Sequence, residues 1–144
     1  MQADDDWLKT ALADAHRDFL RLVARVPLER RRQAGVCGTW SAKEVIDHLC
    51  GWDSALSAFM RDPGGFDPAP LYDVDSFNGG SVAVRRQQSW GESLAALQHG
   101  IADLQAALEG VTGEMRSQAR VQSWLQGRAA DYRLHAAQLE AWLR

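Results

Sequence analysis

Cysteine is scarce in this chain, with only Cys37 and Cys50 in 144 residues, no CxxC pair and no framework. That disfavours a disulfide scaffold and a cysteine-built zinc site, and both thiols are expected to be buried. β-Branched residues are few as well. Against 22 Ala and 16 Leu there are 9 Val, 2 Ile and 3 Thr, an excess of helix formers that predicts an all-α protein. The first thirty residues hold no apolar run of signal-peptide length, and no stretch is long enough to span a bilayer, so a cytoplasmic protein without a membrane partner is expected. Positive charge is not concentrated either. The net charge is -3, and the single basic run, residues 30–32, stands beside Glu29 without interleaved aromatics, which argues against a nucleic-acid partner. Repeats and low-complexity tracts are absent.

What remains is the size of one ordinary domain, and residues 1–144 are read as such. A first helix is predicted over residues 4–26, where Leu8, Leu12, Ala15, Phe19, Leu22, Val23 and Val26 recur at three- and four-residue steps. Asp4, Asp5 and Asp6 suit its N-terminus, and Pro27 ends it. The second helix should start at Ser41, where Ser41 and Glu44 make an S-x-x-E capping box and Trp40 and Val45 a hydrophobic staple. Its inward stripe is Val45, His48, Leu49, Trp52, Leu56 and Phe59, so a histidine is built into an apolar face.

Between Arg61 and Gly80, the prolines Pro63, Pro68 and Pro70 and glycines such as Gly64, Gly79 and Gly80 form a density of breakers that predicts a long crossover without a continuous helix. A short helix is expected from Ser76 or Ser81 to Gln88. Ser89 and Glu92 then repeat the capping-box pattern, and Leu94, Leu97, Ile101, Leu104 and Leu108 form a seam closed by Gly110. The last helix should begin near Gln118, with Val121, Trp124, Arg128, Asp131, Tyr132, His135, Leu139 and Trp142 near one face. Four long helices with one long link describe a four-helix bundle in which the helices flanking the crossover can run parallel.

Asp131 and His135 are four residues apart and therefore share a helical face, a spacing suited to chelating one ion. With His48 they would give two imidazoles and a carboxylate, three ligands with an open position, as in catalytic rather than structural metal sites. An ionised aspartate on an inward face also needs a cation, which a divalent metal supplies. The same residues read equally well as a carbonyl-bonded core histidine and an ordinary i,i+4 pair.

The segment Gly38-Thr-Trp-Ser-Ala-Lys-Glu-Val-Ile-Asp-His-Leu-Cys-Gly-Trp-Asp53, with its W-S-x-K-x-x-x-x-H-L core, resembles the second-helix signature of the DinB/YfiT-like superfamily of metal-binding four-helix bundles. Asp75-Ser-Phe-Asn78 with residues 82–86 resembles the start of the family's third helix. Asp131-Tyr-Arg-Leu-His135 resembles its H-x-x-x-H last helix. The resemblance implies a divalent metal, zinc or nickel, on His48, Asp131 and His135. Many members have histidine where Asp131 stands, whereas the similar mycothiol-dependent maleylpyruvate isomerases use an acidic residue there. It further implies a thiol-dependent S-transferase or isomerase using mycothiol or bacillithiol and an electrophilic substrate. The alternatives are a bundle that sequesters a small molecule and a metal-dependent hydrolase.

Candidate substrate contacts are Trp52, one turn from His48; Asn78 and Arg85, seven residues apart near a pocket mouth; and Tyr132, beside the proposed ligands. A guanidinium suits a carboxylate-bearing thiol or substrate. His16 is expected at the boundary of the first helix's stripe, His99 in solvent and Cys50 buried. The resemblance also implies a homodimer, since related bundles often pair, and six tryptophans leave some expected near the surface.

Overall fold

The computed structural model describes residues 2–144, with side chains described from Trp7 onward. Its helices are α1 (Gln2–Val23), α2 (Ala42–Arg61), α3 (Val74–Val84), α4 (Trp90–Gly110), α5 (Gly113–Arg116) and α6 (Ala119–Leu143). No strand occurs among the described residues beyond an isolated bridge between Cys37 and Trp40. Nor is any helix there long and apolar enough to cross a membrane. Two compact units are formed, one from residues up to Ala42 with Gly110–Arg144, the other from Lys43–Glu109.

In the first unit α1 packs along α6. The three- and four-residue spacing of Leu8, Leu12, Ala15, Phe19 and Val23 puts them on one buried face, and α6 supplies Val121, Leu125, Ala129, Tyr132 and Leu139. α1 stops at Val23, three residues short of the predicted end. Its last turn tightens, with Arg25 N–H donating to Leu22 O and Val26 N–H to Val23 O, so Val26 stays buried as the chain turns into Pro27. The N-terminal role expected of Asp4, Asp5 and Asp6 falls on side chains outside the described residues. His16 corrects its expectation: it is buried, edge-on to Tyr132 at 4.4 Å between ring centroids. Arg30, from the basic run, lays its guanidinium 3.7 Å from the Trp142 ring centroid and donates to Trp142 O at 3.2 Å.

The second unit holds α2, α3 and α4. Asp47, early in α2, meets Ser93, early in α4, and Arg61, at the end of α2, meets Asp103 further along α4, so the two helices run parallel. The crossover between them makes that direction possible. α4 starts as predicted: Ser89 N–H donates to Glu92 Oε1 at 2.9 Å and Glu92 N–H to Ser89 Oγ at 3.0 Å. The Ser89 N–H, and secondarily its side chain, hold the Glu92 carboxyl below its ordinary value. This contribution is therefore complete above the ordinary glutamate range and fades as pH falls through the lowered value.

The crossover itself departs from expectation. Gly79 and Gly80 lie inside α3, which begins at Val74 because Asp73 caps it, accepting from Ser76 N–H at 3.1 Å and Ser76 Oγ at 2.8 Å. The helix then ends at Val84, not Gln88. Packing against α2 outweighs the glycines' low propensity: a Cβ on Gly51 would overlap the Ser81 side chain. Gly51→Ala is accordingly expected to cost about 1–3 kcal/mol in urea denaturation. Ser81→Gly in the same chain should recover most of it, and no recovery would show that the clash lies elsewhere.

Candidate metal centre

α6 places Asp131 and His135 on one face, with Asp131 Oδ1 3.1 Å from His135 Nε2. The remaining atoms of both groups are engaged. His135 Nδ1 lies 2.8 Å from Gln138 Oε1, one turn on, and Asp131 Oδ2 accepts from Arg128 Nη1 at 2.7 Å, one turn back. His135 and Arg128 are buried, and Asp131 is half-buried.

This geometry suits a cation shared between the two groups. With Gln138 Oε1 accepting from Nδ1–H, Nε2 is the ring nitrogen that faces the carboxylate, where it ligates an ion as the neutral tautomer or donates to Asp131 as imidazolium. In the neutral form, two acceptors 3.1 Å apart repel unless a cation lies with them. Two donors about 2.0–2.1 Å from one tetrahedral ion sit roughly 3.3 Å from each other, so the pair fits a shared metal. Gln138 plays the orienting part that outer partners take at metal sites.

Arg128 alters the charge argument made from the sequence. The Asp131 carboxylate already has a cation in the protein, so its burial alone does not require a metal. With Arg128 included, two imidazoles, one carboxylate and a divalent ion would carry about +2, which strengthens the preference for an anion. Arg128 was visible on the predicted face but carried no assigned role; its i,i+3 spacing to Asp131 is the signal that would have found it.

His48 belongs to the second unit, buried on α2. The three predicted ligands offer two imidazole nitrogens and one carboxylate oxygen. Around His48, the first half of α2 is buried on nearly every side, well beyond the predicted stripe, and this half contains Lys43 and Asp47, 2% and 0% exposed. Lys43 Nζ donates to Asp47 Oδ2 at 2.7 Å and to Arg85 O at 3.0 Å, and Ser93 Oγ donates to Asp47 Oδ1 at 2.6 Å. The lysine of the W-S-x-K pattern thus anchors the end of α3 to α2 and α4.

The candidate substrate contacts divide. Trp52 Nε1 donates to Asn78 Oδ1 at 2.6 Å, and the Trp52 ring lies against Phe77, 4.5 Å between centroids. Arg85 follows the last turn of α3 and lines a separate cleft. Tyr132 is fully buried in the first unit, edge-on to His16 and Phe19. His99 is exposed as expected. Cys50 is buried, and burial pushes its thiol up to about 12, leaving it protonated and unreactive. Cys37 corrects its expectation, being half-buried.

Four long helices, with a crossover between the second and third of them, define an all-α protein of the DinB-like four-helix class. The family model described as the mycothiol maleylpyruvate isomerase N-terminal domain matches residues 12–143, and the chain belongs to that family. No curated protein and no solved structure gives a match.

Proposed function

We propose that His48, Asp131 and His135 bind a divalent metal, zinc or nickel, and that residues 1–144 act as one domain transferring a low-molecular-weight thiol such as mycothiol to an electrophilic substrate. The observation that carries this reading is His135 Nε2 set 3.1 Å from Asp131 Oδ1 while its Nδ1 meets Gln138. Family membership supports the thiol. The metal, when bound, would lower the thiol's pKa and favour its thiolate. The chain's own residues orient and charge the site: Gln138 orients the His135 ring, Asp131 shares its carboxylate with Arg128, and the Arg128 cation favours an anion nearby.

Protein purified without an affinity tag is expected to hold about one zinc or nickel per chain and to consume mycothiol in the presence of an electrophile. His48→Ala should lose both properties. Full metal content in His48→Ala would remove His48 from the site, and an unmodified chain that takes up neither ion on titration would end the proposal.

A further inference from the structure

In the second unit an open cleft of about 700 Å³ lies between α2 and α3, within the size range of small-molecule sites. Ala55, Pro70, Phe77 and Val84 give it apolar walls. Among the described residues its one cation is Arg85, a half-buried guanidinium that donates from Nη1 to Ser81 O at 2.9 Å. The backbone carbonyl of the same residue is gripped by Lys43.

Arg85 has no carboxylate partner among the described residues, and one backbone bond leaves most of its five N–H donors unused. The one carboxylate among the described residues that line the cleft, Asp73, is committed to capping α3 through Ser76. A forked cation fixed at the edge of an apolar cleft is complementary to a planar anion attached to a hydrocarbon body.

We propose that the α2–α3 cleft is a binding site for a small organic carboxylate, its apolar body against Ala55, Pro70, Phe77 and Val84 and its carboxylate on Arg85. The site uses none of the proposed metal ligands, so it stands or falls independently of them.

Octanoate, with octanol as its uncharged counterpart, tests this by titration calorimetry on the full chain. Octanoate is expected to bind saturably at one site, about tenfold or more tighter than octanol. Arg85→Gln should remove that advantage while leaving octanol binding in place. Gly80→Leu should block both ligands, since Gly80 lines the cleft and its Cβ position is open space. His48→Ala should leave octanoate binding unchanged, separating this site from the metal. If Arg85→Gln does not fold, Arg85→Lys, which keeps the charge but not the fork, should weaken octanoate alone. Equal affinity for acid and alcohol, undiminished octanoate binding in the Arg85 variant, or undisturbed binding in Gly80→Leu would each overturn the proposal, as would absence of octanoate binding at millimolar concentration.

Discussion

Asp47→Ala is expected to destabilise the protein by about 3–5 kcal/mol, the cost of leaving a buried charge without its partner. Lys43 is 2% exposed, and among the described residues its ammonium has only the Asp47 carboxylate and the Arg85 carbonyl as acceptors. Removing the carboxylate leaves a dry cation with one neutral acceptor and also takes from the Ser93 hydroxyl its 2.6 Å acceptor, leaving it the longer contact to Gln88 Oε1 at 3.2 Å. Lys43→Met should be damaging for the reciprocal reason. The double variant Lys43→Met with Asp47→Leu, by contrast, removes both charges and should cost much less than the sum, because a buried ion pair is nearly balanced against an apolar replacement of similar volume. Urea midpoints, compared at equal m-values, measure all three. A loss below about 1 kcal/mol in Asp47→Ala would mean that water reaches Lys43 and that the pair is not the buried lock described above.

His135→Ala is expected to lower zinc affinity more than about 100-fold, and Gln138→Leu about 10–100-fold, in competition with a chromophoric chelator. The first removes a donor atom. The second leaves every proposed ligand in place but frees the imidazole to change tautomer and swing its Nε2 lone pair away from Asp131. A smaller effect in Gln138→Leu than in His135→Ala distinguishes orientation from ligation, and Arg128→Met adds a third measurement. Without the competing guanidinium the Asp131 carboxylate is free to give both oxygens to the ion, so affinity should rise if folding is preserved. Unchanged zinc affinity in His135→Ala would exclude the α6 pair as ligands.

Much of the fold could be read from residue spacing. The reciprocal Ser89 and Glu92 box, the start of α6 after Gln118, and the α6 face carrying Arg128, Asp131 and His135 all depend on short-range geometry, which sequence records directly. The missed features depend on what packs from outside the segment. A period of 3.6 assigns a helix one apolar face, so it had no means of finding that the first half of α2 is enclosed with Lys43 and Asp47 inside. Gly79 and Gly80 looked like breakers because propensity is summed locally, while the close approach of Gly51 to Ser81 comes from a neighbouring helix; the Asp73 cap, three residues before Ser76, is a local signal that the glycines masked. His16 sat at the margin of a stripe in the sequence, yet the Tyr132 ring from α6 covers it. Cys37 was expected inside on residue type alone, but its turn leaves it half-exposed.

Lys43 holds a peptide oxygen rather than a side chain, and that peptide belongs to Arg85. Damage at Lys43 would therefore be felt at the mouth of a cleft that the lysine itself never lines. A genetic survey scoring loss of ligand uptake would rank it beside true contact residues, and only a measurement of Arg85's freedom to move would tell the hinge pin from the door.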